Sequence, residues 1–280
     1  MNAVGEYRLV ARNTATASAN KIHDDGVARR YGFSGGLVPG VDVYAYMTHP
    51  PAATWGLAWL EHGALDARFV APVYDGDDVL VVASTPEPTP TGGRMTLEVR
   101  NGSGQTCAVG EARLPQPLVD GPPVDRWAAV DPATDPPDAT PEALTTGTHL
   151  AFAPHPARDD ILRTYLGDIG ERLSLYTDEA VAHPGWLLRD ANYVLSANVR
   201  LGPWIHVESH VQHHGLVWFG NTMSARATVA REWERKGHRF VELDVALLAR
   251  GEGGDDDRVV AHVTHTAIYR PRTPAAAEED

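Results

Sequence analysis

One short stretch near the N-terminus brings together the residue types needed for proton transfer. Residues 18–25 read Ser-Ala-Asn-Lys-Ile-His-Asp-Asp, which sets His23 beside hydroxyl, amide and carboxylate groups. Residues 31–40 then read Tyr-Gly-Phe-Ser-Gly-Gly-Leu-Val-Pro-Gly, a glycine-rich approach to an apolar helix. The first amides of a helix lack partners within the helix and can hold a developing oxyanion. Because an imidazole titrates near neutral pH, this combination is typical of acyl-group chemistry.

Composition narrows the range of ligands. The chain has 280 residues, of which 43% are hydrophobic, so it can bury a large core. Its formal net charge is −13 and its isoelectric point is near 5.4. Because phosphates would be repelled, we expect neither a nucleic-acid surface nor an anionic-membrane surface, and a small-molecule ligand is favoured.

Cysteine content and hydropathy indicate the compartment. Cys107 is the single cysteine, which excludes an intramolecular disulfide and a cysteine-rich zinc site. Residues 1–6 lack the features of a secretion signal, and no run of about 18 apolar residues occurs that could span a membrane. We therefore expect a cytoplasmic protein.

The same pattern of short motifs occurs once in each half of the sequence. A D-x-x-x-R-x-Y spacing begins at Asp25 and again at Asp159, and a Pro-Gly pair precedes an apolar helical run at Gly40 and again at Gly185. Ordered matches of this kind indicate an internal duplication.

Each copy shows a change of period along the chain. Apolar residues recur at helical spacing after Pro39 and after Pro184, and alternating strand-like runs follow each helix. The predicted strands are 67–71, 79–84, 95–100, 107–114, 205–212, 223–229, 240–248 and 259–269. A buried helix followed by an antiparallel meander places the helix in the concave face of a curved sheet. The expected fold class is α+β, with one such unit in each half.

Proline content sets the expected boundaries between the halves. The segment 115–148 is rich in proline, aspartate and threonine, and it reads as an extended linker. We therefore expect an N-terminal repeat at 1–114, which carries the active site, and a C-terminal repeat at 149–272. The alanine- and glutamate-rich tail 273–280 is expected to be disordered.

These residues resemble the motif of the MaoC-like hydratase/dehydratase family, relatives of type-2 enoyl-CoA hydratase. That motif reads roughly D-x-N-P-I-H-x-D, then Gly-Phe, then a glycine-containing turn into the central helix. Residues 18–25, 32–33 and 35–40 match it in part. The resemblance implies a double hot-dog fold, in which each of two antiparallel sheets wraps around a central helix.

The resemblance also implies an activity and a set of site residues. Family members are lyases that add water reversibly to a 2-enoyl thioester, with coenzyme A or an acyl-carrier phosphopantetheine as part of the substrate and no metal or other cofactor. Carried over by position, the implied catalytic group consists of Ser18, Asn20, His23 and Asp25. The implied thioester-binding glycines are Gly35, Gly36 and Gly40.

Two positions depart from the motif. Ser18 stands where the family has its first carboxylate, and Lys21 stands where it has proline. A serine hydroxyl does not exchange a proton at pH 7 without an activating partner. In the second repeat, Ala157 aligns with His23, so we expect one site per chain.

Other interpretations stay open on the sequence alone. A hot-dog thioesterase and a catalytically silent acyl-thioester-binding subunit both accommodate Ser18. His206, Glu208, His210 and His214 alternate as if on one strand face, which fits either a zinc site or, preferably, a solvent-facing polar strip. A homodimer would cover the free edges of the curved sheets.

Overall fold

Two runs of similar elements follow each other along the chain. The computed structural model describes residues 3–251 and 256–272, so the predicted tail at 273–280 lies outside the described residues. The first run consists of β1 (Ala3–Val10), α1 (Asp25–Arg30), α2 (Gly40–Trp55), α3 (Leu57–His62), β2 (Ala64–Phe69), β3 (Asp78–Ser84), β4 (Glu87–Thr89), β5 (Gly92–Asn101) and β6 (Thr106–Pro115). The second run consists of β7 (His149–Pro156), α4 (Asp159–Asp168), α5 (Leu175–Asp178), α6 (Pro184–Ser196), β8 (Ile205–His213), β9 (Thr222–Arg235), β10 (His238–Arg250) and β11 (Arg258–Arg270).

The two runs build the same sheet. From its outer edge, the first half has the order β1-β3-β5-β6-β2, and the second half has the matching order β7-β9-β10-β11-β8. The halves join where β2 pairs antiparallel with β8, from Ala64 opposite Gln212 to Arg68 opposite Glu208. The short β4 pairs only with β5. The predicted duplicated architecture of antiparallel strands is therefore confirmed as one continuous sheet.

The long helices α2 and α6 form the centre of the core. In α2 nearly every side chain is buried, including Tyr44 and Met47, as expected for a helix surrounded by a curved sheet. The two helices pack closely where Gly185 meets Ala45. Glycine permits this approach, because a Cβ at position 185 would lie only 2.4 Å from the Cβ of Ala45. Within 3–251 and 256–272, no helix is both long and apolar enough to cross a membrane.

Neither the edge strands β1 and β7 nor the helix α3 was predicted from the sequence. β1 and β7 are edge strands, and only part of each shows the inward-outward alternation that identifies a strand. The helix α3 fits between α2 and β2 because Gly56, with a φ of 59°, turns the chain after Trp55. The predicted strand 67–71 accordingly begins earlier, at Ala64.

Part of the proline-rich segment between the halves packs on the outer face of the sheet, whereas Leu144 near its end is buried in the main core. Trp127 is 1% exposed and lies in a cluster with Ala246, Leu248 and Val259. The neighbouring strand positions Val245 and Leu247 belong instead to the main core. Because successive side chains of a strand point to opposite faces, Trp127 covers the outer surface of β10 and β11.

Two buried carboxylates, next to α2, form hydrogen bonds that connect the two halves of the chain. The carboxylate of Glu171 accepts a hydrogen bond from His49 Nδ1 at 2.8 Å, and its other oxygen lies 3.6 Å from His183 Nε2. Asp42, in the first turn of α2, accepts from Arg189 of α6 at 3.0 Å. Each of these carboxylates is almost wholly buried and has a partner, as buried charges require.

Candidate functional site

A mostly apolar cavity of about 170 Å3 lies where the first half meets the second. The start of α2, the segment before it and the start of β8 form its walls. The four polar side chains that line it are Asn20, His23, Asn192 and His206. No aspartate or glutamate is among its lining residues, all of which lie in the described part of the chain.

His23 presents one nitrogen to this cavity. The ring sits on a 3-10 turn, Lys21–His23, and its Nδ1 lies 2.7 Å from the carbonyl oxygen of Leu37. Because a carbonyl only accepts, Nδ1 carries the proton and Nε2 is left with its lone pair. Burial lowers the pKa of His23, although the Leu37 carbonyl and Asp42 act in the opposite direction. The imidazole is thus neutral at pH 7 and able to accept a proton at Nε2.

Asn20 fastens the His23 turn to the second half. Its Oδ1 accepts from the amides of Ile22 at 3.2 Å and Trp204 at 3.1 Å. Its Nδ2 donates to the carbonyl of Trp204 at 2.9 Å and, with its other N–H, makes a long hydrogen bond of 3.4 Å to His23 Nε2. Most of the hydrogen-bonding capacity of the side chain therefore positions the turn and the His23 ring.

Ser18 and Asp25 lie outside the apolar cavity. The Ser18 hydroxyl accepts a hydrogen bond from the Asn20 amide at 3.1 Å, so it stabilises the start of the Lys21–His23 turn. The Asp25 carboxylate accepts from the amide of Gly36 at 2.8 Å and from Arg29 at 3.2 Å, and its side chain is 67% exposed. Direct catalytic roles for Ser18 and Asp25 stay predictions, and the contacts found for them are with their own loop.

The three glycines differ in what they face. A Cβ on Gly36 would lie 2.2 Å from the carbonyl oxygen of His23, so this glycine lets the two loop segments approach closely. Gly35 lies beside the Asp25 carboxylate, outside the cavity. Gly40 lines the cavity itself. Substrate contact by any of the three stays a prediction, and only Gly40 lies at the apolar cavity.

The N-terminus of α2 lies at the same cavity, which Pro39 and Gly40 line. The amides of Asp42 and Val43 both donate to the carbonyl of Pro39 and begin the hydrogen-bonded part of the helix. The amides of Gly40 and Val41 precede that ladder, and the helix dipole adds partial positive charge there. An oxygen acquiring negative charge would be stabilised at this end of α2.

His206 and Asn192 were not predicted as site residues. A β-bulge between His206 and Glu208 shifts the register of β8 against β11. His206 consequently turns inward and is 6% exposed, whereas Glu208 and His210 pair with each other outside. The prediction that these histidines share one face is therefore wrong, because a bulge reverses the alternation and leaves no mark in the sequence. Asn192 comes from α6, which only the tertiary fold brings to the cavity.

Comparison with known proteins defines the class of fold. No protein-family model matches the sequence, and no curated protein matches it. Among solved structures, the chain shares its architecture with a Mycobacterium tuberculosis protein described as having a double hot-dog fold. The two chains are 14% identical with a TM-score of 0.60, covering 96% of each. The protein therefore has a double hot-dog fold, as predicted.

Two further structures show which proteins share this fold. A MaoC domain protein from Chloroflexus aurantiacus, assigned as a dehydratase, is 11% identical with a TM-score of 0.61, covering 96% of each chain. A protein from Novosphingobium aromaticivorans, assigned as a thioesterase, is 14% identical with a TM-score of 0.53, covering 95% of each chain. The predicted resemblance to MaoC-like proteins is confirmed for the fold, which dehydratases and thioesterases have in common.

Proposed function

We propose that this protein adds water reversibly to a 2-enoyl thioester, with coenzyme A or an acyl-carrier phosphopantetheine as the thiol part. The observation that carries the proposal is the orientation of His23. Its Nδ1 is fixed by the Leu37 carbonyl, and its basic Nε2 is left at an apolar cavity that also contains the N-terminus of α2. A base next to an oxyanion-stabilising helix end is the arrangement that this reaction needs.

The reaction balances with His23 as the single proton carrier. Nε2 takes a proton from water while the water oxygen bonds to the β-carbon, and electron density moves through the alkene to the thioester oxygen. The α-carbon then takes a proton from the imidazolium as the carbonyl re-forms. The amides at the start of α2 stabilise the enolate-like oxygen between these steps. Dehydration follows the same path in reverse.

The cavity volume favours a short acyl chain. The cavity of about 170 Å3 has room for a four-carbon enoyl group. A chain of ten or more carbons would extend beyond it, toward the neighbouring space that shares Asn20, His23 and Trp204 with it. We therefore propose crotonyl thioester as the better substrate.

A hot-dog thioesterase or a silent acyl-binding subunit is the second candidate. The observation that favours it is the cavity lining, which holds no carboxylate. Ser18, which stands where the family motif has its acid, lies outside the cavity and accepts a hydrogen bond from the Asn20 amide. In a thioesterase the same water would attack the thioester carbonyl instead of the alkene. The fold shared with the Novosphingobium protein is compatible with this chemistry.

One assay separates these functions. The purified protein is incubated with crotonyl-CoA and with dodecenoyl-CoA while the conjugated absorbance and the free thiol are followed. Hydration lowers the absorbance without releasing thiol, hydrolysis releases thiol, and binding without either change identifies a silent subunit. Release of thiol without hydration, or no reaction with either substrate, would overturn the proposed hydratase.

A homodimer stays a prediction, with β1 and β7 as the edges at which a second copy would pair.

A further inference from the structure

His206, from the second half, aims an unpartnered nitrogen at the start of α2. The side chain is 6% exposed, and its Nδ1 has no hydrogen-bond partner among the described residues. A Cβ added to Gly40 would lie 2.8 Å from this nitrogen. A buried polar atom without a partner is costly, so its position at the cavity wall indicates a group that a ligand completes.

The other ring nitrogen of His206 belongs to a buried chain of three side chains. Nε2 lies 2.8 Å from the Ser209 hydroxyl, and that hydroxyl lies 2.9 Å from Nδ1 of His265. His265 is fully buried, and its Nε2 also has no partner among the described residues. Each end of the chain is therefore a buried nitrogen without a partner, His206 Nδ1 beside Gly40 at the cavity wall and His265 Nε2 inside the protein.

This chain has two neutral arrangements. In the first, His206 donates to Ser209, Ser209 donates to His265, and the cavity faces a lone pair on His206. In the second, His265 donates to Ser209, Ser209 donates to His206, and His206 presents an N–H at Nδ1 to the cavity. The first arrangement buries the N–H of His265 without an acceptor, whereas a carbonyl oxygen in the cavity would satisfy the N–H of the second. Binding of a carbonyl thus favours the donor form of His206.

Packing fixes the direction of the ring. Phe69 contacts it edge to face with the ring centroids 4.7 Å apart, and the centroid of His265 lies 4.3 Å away. Burial lowers the pKa of His206 well below its ordinary value, with the neighbouring His265 acting in the same direction. A neutral imidazole held in this way can polarise a carbonyl without becoming a cation.

We propose that His206 donates from Nδ1 to the thioester carbonyl oxygen, as a second donor beside the amides at the start of α2. This inference rests on the proposed binding of an acyl thioester and assigns a catalytic residue to the second repeat. Ser209 and His265 act through His206 and are positioning residues. The second repeat then completes the site that the first repeat begins.

The test measures carbonyl recognition without any reaction. Calorimetry compares butyryl-CoA with butyl-CoA, the thioether that lacks the carbonyl oxygen. His206→Gln keeps an amide near the Nε2 position and loses the donor at Nδ1, whereas His206→Asn keeps an amide N–H near Nδ1. We expect His206→Gln to lower the thioester-to-thioether affinity ratio about tenfold, the effect of one buried hydrogen bond, and His206→Asn to lower it less than threefold.

A second measurement does not depend on how well the glutamine variant folds. Nitrogen-15 spectra of the labelled wild-type protein distinguish the two histidine tautomers, with the His206→Asn protein identifying the signal. Butyryl-CoA is expected to shift this ring to the Nδ1–H form, and butyl-CoA is not. An unchanged tautomer with butyryl-CoA overturns the proposal.

The positioning role of Ser209 has its own readout. Ser209→Ala removes the hydroxyl that orients the His206 proton, so the affinity ratio is expected to fall as in His206→Gln. Ser209→Thr retains the hydroxyl and is expected to restore the ratio. Equal loss of butyl-CoA binding in both variants would instead indicate a purely structural role.

The outcomes separate this proposal from the proposed function. If crotonyl-CoA is not hydrated but the ratio falls in His206→Gln, the hydratase is wrong and the role of His206 holds. If hydration occurs and the ratio is unchanged in His206→Gln, the role of His206 is wrong. If neither probe binds the wild-type protein, both are wrong.

Discussion

Asn20 pairs in both directions with the backbone of Trp204, which lies 184 residues further along the chain. Asn20→Ala would leave the buried amide and carbonyl of Trp204 without partners. We expect the free energy of unfolding to fall by about 1–3 kcal/mol. Urea denaturation measures this change. Asn20→Asp keeps the acceptor for the amides but replaces the donor with a charged oxygen that faces the Trp204 carbonyl, so we expect it to destabilise the protein as well. Equal stability of Asn20→Ala and the wild type would contradict the assigned contact.

The proposed function predicts that replacing His23 abolishes most of the hydration activity. His23→Asn retains an amide N–H for the Leu37 carbonyl but lacks a basic nitrogen at Nε2. We expect kcat with crotonyl-CoA to fall about 10²- to 10⁴-fold in this variant, with butyryl-CoA still bound. The exposed histidine His149 offers a control, because His149→Ala lies on β7 away from the cavity and should leave kcat unchanged. A rate within twofold of wild type in His23→Asn would exclude His23 as the base.

The pH profile should report the neutral form of His23. Burial lowers the pKa of His23 below its ordinary value of 6.5, and the base acts only when neutral. We therefore expect kcat/KM to rise with pH through an inflection below 6.5 and to be flat between pH 7 and 8. Initial rates in a constant-ionic-strength buffer test this expectation. An inflection above pH 7 would indicate a different titrating group or a stabilised imidazolium.

Gly40→Ala should close the space between α2 and His206. The added methyl would lie 2.8 Å from His206 Nδ1 and 3.1 Å from its Cβ, and the ring is held by its neighbours. We expect kcat/KM to fall at least tenfold. Gly167→Ala is the matched control, because that helical glycine has no other atom within 4 Å of an added Cβ and should tolerate alanine without loss of activity. Equal activity of the two variants would show that the Gly40 position does not contact substrate.

Glu171 should make the free energy of unfolding decrease as the pH is lowered. Burial acts to raise the pKa of Glu171, but His183, 3.6 Å away, and the hydrogen bond from His49 outweigh it and hold the pKa below the ordinary 4.5. A lowered folded-state pKa stabilises the protein above about pH 5 and loses that effect as the pH falls. Glu171→Gln should therefore cost about 2 kcal/mol at pH 7 and less at pH 3, as measured by denaturation at both values. A difference that is independent of pH would contradict this assignment.

The sequence predicted the duplicated sheet and directed attention to His23, which lines the cavity, because both depend on local patterns. The catalytic role of His23 stays a prediction. The Pro-Gly pairs mark the starts of α2 and α6, and alternation marks most of the strands. The partners of His23 were less predictable. His206 reaches the cavity only through a bulge and through the pairing of β2 with β8, which depend on contacts between distant segments. Ser18 in place of the first carboxylate of the family motif is visible in the sequence, but it does not indicate which other side chains face the cavity.

The covalent union of the two repeats has an evolutionary consequence. In an assembly of two identical subunits, any substitution occurs at both ends of the shared sheet. Here it occurs once, so one copy can keep His23 while the other has Ala157, which is fully buried. Likewise Gly185 packs against Ala45, whereas its counterpart Gly40 borders the cavity. A single chain thus lets each repeat carry different residues, with His23 of the first repeat and His206 of the second lining the same cavity.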